Sequence, residues 1–190
     1  MPLKHLPLAE LEAGLDRIRQ SPKDEGSLEL IVCRPDVNQR EVLLEGRLDL
    51  AEGLVGDSWR KRVSSKMDGK APHPDMQLNL MNARVIALVA QAPDRWPLAG
   101  DQLYVDFDLS AANIPPGTRL SIGEAIIEVT AMPHTGCKKF MGRFGEDATR
   151  FVNSPEGRRL QLRGINAKVV QPGAIRPGDP VRKLPAATAS

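Results

Sequence analysis

Short apolar runs alternate along this chain with glycine and proline turns, and that rhythm limits the fold more than any other feature. SLELIVC (27–33), EVLLEGRLDL (41–50), QLNLM (77–81), QLYVDFDL (102–109) and LRGINAKVVQPG (162–173) are each long enough for one strand. IPPGTRLSIGEAIIEVTAM (114–132) reads as two strands joined at Ile122-Gly123, and AIRPGDPVRKL (174–184) as a final turn and strand. Many short strands and few helices predict a mostly β fold, a barrel or sandwich of mainly antiparallel strands decorated by short helices.

The helical pattern is strongest at the start. Leu8, Leu11, Leu15 and Ile18 recur three or four apart among charged residues, which places one apolar stripe on an amphipathic helix. The breaker SPKDEG (21–26) ends it. Asn82 is placed to cap a short helix whose face is Val85, Ile86, Leu88 and Val89, and GEDATRFVNSPEGRRL (145–160) reads as a short helix and a turn. GLVGDSWRKRVSSKMDGKAPHPD (53–75) is polar and without period, which predicts a long surface loop. At 190 residues one core is expected. The divisions read as a helical extension over 1–26, a β domain over 27–184 and a tail over 185–190.

Lys and Arg number 26 against 24 Asp and Glu, and they are dispersed, which disfavours nucleic acid as a partner. No apolar run approaches the roughly 20 residues of a membrane helix, and Lys4, His5 and Glu10 interrupt the first apolar positions, so neither a signal peptide nor an anchor is expected. Two distant cysteines, Cys33 and Cys137, do not make a disulfide framework. Free thiols in a reducing cytoplasm are the expectation.

Cys137 stands in MPHTGCKKF (132–140), directly behind a strand-like run. Lys138, Lys139, Arg143 and His134 favour a thiolate by charge, and the thiolate is both a nucleophile and a soft metal ligand. A small residue packed at a strand end is the alternative, and for Cys33 within ELIVC packing is the preferred reading. His134 suits donation to an anionic ligand, tuning of Cys137 or acid catalysis, and equally a turn-capping hydrogen bond. Phe140 and Phe144 either wall a pocket above the thiol or pack their segment onto the sheet. Dinucleotide, P-loop and GxSxG signatures are missing from the sequence.

GLVGDSW (53–59), AGDQLYVDFDL (99–109), GTRLSIGEAIIEVTAMPHTGC (117–137) and RGINAKVVQPGAIRPGDPVRKL (163–184), taken together, resemble the MOSC domain. That family is named from the C-terminal part of molybdenum cofactor sulfurase and includes amidoxime-reducing enzymes and bacterial stand-alone relatives. Gly100-Asp101-Gln102 and the His134-Thr135-Gly136 approach to the cysteine depart from the usual family pattern and mark a divergent member. The resemblance implies a MOSC-like β-barrel and a molybdenum-pterin cofactor with Cys137 as the metal ligand. A pterin phosphate needs cations, for which Lys138, Lys139, Arg143 and, from the long loop, Arg60, Arg62 and Lys66 are available. Asp57, Trp59, Asn82, Arg84 and Asp101 fall in or beside the matching blocks, where they either line the pterin site or fix turns and strand ends.

As an enzyme, such a protein would reduce a small N-hydroxylated substrate, and it would need an external electron-donating reductase because it carries no redox motif of its own. A non-redox carrier of cofactor, or of sulfur as a Cys137 persulfide, is the alternative. A metal-free Cys137/His134 hydrolase or transferase ranks last, since no third orienting group is evident. Sulfur transfer needs an exposed thiol, whereas ligation of a buried metal needs an enclosed pocket.

Overall fold

The computed structural model describes residues 4–63, 67, 69 and 71–186. Lys66 and the last four tail residues lie outside them. Two short helices, α1 (Leu8–Ala13) and α2 (Leu15–Arg19), precede a long strand β1 (Glu25–Cys33). The chain continues through β2 (Glu41–Leu43), β3 (Gly46–Asp49), β4 (Gly53–Leu54), β5 (Leu78–Asn82), α3 (Ala83–Ala90) and β6 (Leu103–Asp106). The hairpin β7 (Arg119–Ile122) and β8 (Ala125–Val129) follows. Then come three helices, α4 (Lys138–Phe144), α5 (Glu146–Asn153) and α6 (Pro155–Arg159), and the strands β9 (Ile165–Gln171), β10 (Gly173–Ile175) and β11 (Pro180–Lys183).

Strands β11, β7, β8, β9, β5, β6 and β1 lie side by side, and β11 pairs back onto β1, so seven strands close a barrel. One edge of β1 is shared: its first residues pair with β11 and its last with β2. Every barrel pair is antiparallel except β5 with β6, whose connection runs through α3 as a parallel crossover requires. A smaller sheet, β10-β3-β4, packs beside the barrel.

Alternation along the strands sorts two cores. Leu78, Leu80, Leu103 and Val105 point into the barrel with Leu28, Ile31 and Ile127. Met81 and Tyr104, on the opposite faces of β5 and β6, meet a helical layer formed by Leu11, Ile18, Val85, Phe140 and Phe151. The N-terminal stripe therefore docks, with Leu11 and Ile18 buried. The helix is interrupted at Gly14, where an added Cβ would lie 2.5 Å from Leu88 Cδ2 of α3, so a larger residue would have to displace that side chain.

Several local expectations change. The 41–50 run is two strands in different sheets, because β2 follows β1 while β3 joins β10. The 145–160 segment is two helices, and KKFMGRF ahead of it forms a third. The segment from Gly53 is not all surface loop: it opens as β4, and Asp57, Ser58 and Trp59 are buried. The Ile122-Gly123 turn stands, with Gly123 at φ +53 closing the β7–β8 hairpin.

Candidate functional site

Cys137 is the residue before α4 and is exposed, its backbone extended at φ −112 and ψ 177. The loop that delivers it is held along its length. Asn166 Nδ2 donates to the carbonyls of Met132 and Pro133, and Asn153 grips Gly136 twice, accepting from its N–H at 2.9 Å and donating to its carbonyl at 3.1 Å. A Cβ at Gly136 would stand 3.0 Å from Val152 Cγ2 and 3.1 Å from Asn153 Nδ2, so a larger residue would press on that grip. The thiol thus projects from a rigid approach without any bond to its own sulfur being needed.

His134 lies on this loop with its side chain only 15% exposed and Nε2 3.0 Å from Asp101 Oδ1. Asp101 is fully buried, and its other oxygen accepts from Arg163 Nη1 at 2.7 Å. Arg163 also donates to the carbonyl of Ala99 and lies over the Phe140 ring at 5.0 Å. Burial pushes the Asp101 carboxyl upward, but Arg163 and His134 outweigh it and hold it below its ordinary range. Burial and the nearby Arg163 charge lower the His134 imidazole despite Asp101. An ionised Asp101 only accepts, so a neutral His134 carries its hydrogen on Nε2 and leaves Nδ1 as the acceptor.

His134, Thr135, Asn153, Arg158, Gln161 and Arg163 line a cleft of about 230 Å³ that reaches within two residues of Cys137. Ligand pockets usually enclose roughly 300–1,000 Å³. The cleft therefore has room for a small group, or for the end of a larger ligand. Among the described residues no hydrogen bond joins Cys137 to His134, although Asp101 is the orienting group that the sequence did not reveal.

A second focus adjoins the first. The 3-10 helix Pro93–Ala99 ends in a turn whose four successive carbonyls accept from four different arginines: Pro97 from Arg40, Leu98 from Arg143, Ala99 from Arg163 and Gly100 from Arg34. Carbonyls left open at a helix end attract cations in this way. Arg34 is itself buried against Asp57, which accepts from its backbone N–H, Nε and Nη2, as well as from the Trp59 N–H.

The candidate residues therefore fall into groups. Asp101 is brought to His134 on the loop that leads to Cys137, and Lys138 and Lys139 stand exposed in the first turn of α4. Arg143, in the last turn of α4, reaches the Leu98 carbonyl. Asp57 and Trp59 join through Arg34 to Gly100, and among the described residues the buried Trp59 indole N–H has no partner. Asn82 and Arg84 lie on the side of the N-terminal helices. Asn82 caps α3 and donates to Ser21 and Phe107, while Arg84 pairs with Asp106 and donates to the Arg17 carbonyl. Phe140 and Phe144 form a tilted pair with centroids 4.9 Å apart inside the helical core, so they pack. Asn153, Arg163, Arg34 and Arg40 were not singled out from sequence. Arg163 alone carried a signal, at the head of the RGIN block.

Residues 73–182 match the MOSC domain family. The chain belongs to that family. The match includes Asp101, His134, Cys137 and Arg163 and begins after the GLVGDSW block, so that block rests on resemblance alone. This MOSC-domain protein is similar in fold to the YUAD protein from Bacillus subtilis, with TM-score 0.61 and 16% identity over 83% of this chain and 94% of that one. It is likewise similar to YiiM from Escherichia coli, with TM-score 0.53 and 18% identity over 86% and 72% of the two chains. None of the curated proteins matches it. Among the described residues no helix is long and apolar enough to cross a membrane.

Proposed function

We infer that this MOSC-domain protein binds a molybdenum-pterin cofactor at the cleft beside α4, with Cys137 as the protein's ligand to the metal. The observation that carries this reading is a pinned loop that places Cys137 two residues beyond Thr135 of a cleft lined also by His134, Arg158 and Arg163. The donor set fits in kind. Among the described residues no cluster of three or more His, Cys, Asp or Glu could hold a bare ion. One soft sulfur donor next to Lys138 and Lys139 suits a metal that arrives already held by its own organic ligand. When bound, such a cofactor supplies two-electron removal of oxygen from a small N-hydroxylated compound, with electrons from a separate reductase.

The chain's own residues then have distinct tasks. Cys137 offers the sulfur, and Asn153 and Asn166 hold the loop that aims it. Lys138 and Lys139 attract anionic groups to the start of α4. Asp101 orients His134 and leaves Nδ1 as an acceptor at neutral pH, where the lowered imidazole is uncharged. Exposure of the thiol also favours a second reading, sulfur carriage as a Cys137 persulfide, because an acceptor must reach the atom it receives. By that criterion the exposed thiol favours carriage, and the metal-ligand reading rests instead on the family match and on the nearby cleft.

The deciding experiment is molybdenum per chain by elemental mass spectrometry, with pterin fluorescence after oxidation. It compares wild type and Cys137→Ser from a host that makes the cofactor. Metal and pterin present in the wild type and lost in the variant are expected. Neither in the wild type, even after cofactor is supplied, together with cyanide-releasable sulfur on Cys137, would move the assignment to sulfur carriage.

A further inference from the structure

The turn from α6 into β9 departs from two local rules, and both departures fall in the wall of the cleft. Leu162 N–H donates to the Gly157 carbonyl and Gln161 N–H to that of Arg158, which closes α6 as a Schellman motif with Gln161 in the left-handed position at φ +50. Glycine takes that position with least strain, yet glutamine stands there. Gln91 is likewise left-handed after α3, and its amide has a local task, donating to the Lys4 carbonyl. Gln161 differs, because its Oε1 is buried and accepts nothing among the described residues. Two residues on, Arg163 is only 6% exposed. Its Nη atoms donate to Asp101 and Ala99, and its buried Nε–H meets no acceptor among the described residues.

A buried acceptor and a buried donor left open each cost stability, and so does a side chain held at positive φ. Sequences break local rules in this way at functional sites, where a bound group offsets the cost. An open acceptor and an open donor on one turn call for a group that carries N–H and C=O together, without charge. A carboxylate offers acceptors alone and would set a negative charge against Gln161 Oε1. We propose that Gln161 Oε1 and Arg163 Nε bind the uncharged carboxamide of a small-molecule ligand, its N–H on Gln161 and its C=O on Arg163. The cleft, about 230 Å³, suits one such group better than a fused-ring cofactor, since whole-ligand pockets usually start at roughly 300 Å³. Where Cys137 is the reacting centre that ligand is the substrate, and to that extent the inference rests on the function proposed above. The binding itself needs no metal.

The test is an NMR titration of the nitrogen-labelled full chain with benzamide, following the side-chain Nε–H signal of Arg163. That signal is assigned by its loss in Arg163→Lys or, if the variant fails to fold, by through-bond correlation in the wild type. Benzamide at millimolar concentration shifts it saturably, while benzoate, which is charged, and acetophenone, which has C=O without N–H, bind about tenfold or more weakly. Gln161→Gly relaxes the turn, so it melts no lower than wild type, yet it loses about tenfold in benzamide affinity. A side chain kept only for structure would not move the two readouts in opposite directions.

Cys137 is not one of the residues lining the cleft, so Cys137→Ser keeps benzamide binding, and a failed molybdenum measurement leaves this result readable. Loss of binding in that variant overturns the assignment of the wall to Gln161 and Arg163. Benzoate binding as tightly as benzamide would reassign the wall to a carboxylate, and displacement of benzamide by neopterin would reassign it to the cofactor; either result overturns the proposal. No shift of the Arg163 signal with benzamide, or unchanged affinity in Gln161→Gly, overturns it as well.

Discussion

Arg163 Nη1 and Asp101 Oδ2 lie 2.7 Å apart, both sealed from solvent, and the other oxygen of the same carboxylate holds His134. The loop before Cys137 thus hangs from a buried ion pair that joins the Gly100 turn to the residues leading into β9.

Removing one member of that pair leaves the other charged and buried. Asp101→Asn is expected to lower stability by about 3–5 kcal/mol, measured as a shifted urea midpoint at pH 7. An unchanged midpoint would mean that the pair is not closed in solution.

The pH dependence has a definite sign. His134 is lowered from its ordinary 6.5, so the unfolded chain binds more protons below that pH, and stability is lost as pH falls from about 6.5 toward the folded value. Asp101, held below its ordinary 3.8, adds stability above that value that is lost as pH falls through its folded pKa. Thermal melts between pH 8 and pH 5 should decline below about 6.5 in wild type and flatten in His134→Gln. A decline of equal depth in the variant would assign it to other groups.

The two thiols differ in access. Cys137 is exposed, whereas Cys33 is buried, with burial and then Asp57 and Glu41 raising its pKa. Native protein should take up one iodoacetamide per chain quickly at Cys137, and Cys33 should react only on unfolding. Peptide mapping that finds both labelled at similar rates contradicts this arrangement.

Asp57 was a candidate cofactor contact, yet all the described bonds of its carboxylate are to Arg34 and Trp59. Asp57→Ala is expected to cost about 3–5 kcal/mol, and Arg34→Met with Asp57→Leu to restore much of it. If Asp57→Ala keeps wild-type stability but loses pterin, the residue acts on the cofactor instead.

Leu11 is 1% exposed beneath the helical layer. Leu11→Ala should cost about 2–5 kcal/mol and open the 21–26 segment to trypsin, seen as early release of an N-terminal fragment. Wild type cut there as fast as the variant would show the helices undocked.

Much of the architecture was legible in the sequence. Alternation in QLYVDFDL, the Ile122-Gly123 turn, the Asn82 cap and the stripe from Leu8 to Ile18 are local signals, set by which face of each element must leave water. They survive because a strand's period and a turn's conformation depend on neighbouring residues. Cys137 was visible by the same logic, from its block and its flanking lysines. Tertiary structure alone decided the rest. It closed the barrel through β11 on β1, with residues some 150 positions apart in sequence pairing. It placed Asn153 on Gly136, Arg163 on Asp101 and Arg40 beside Arg143 over Gly100. A polar side chain carries no periodicity that names its partner. Its role is fixed only when folding removes water and leaves a particular donor facing a particular acceptor.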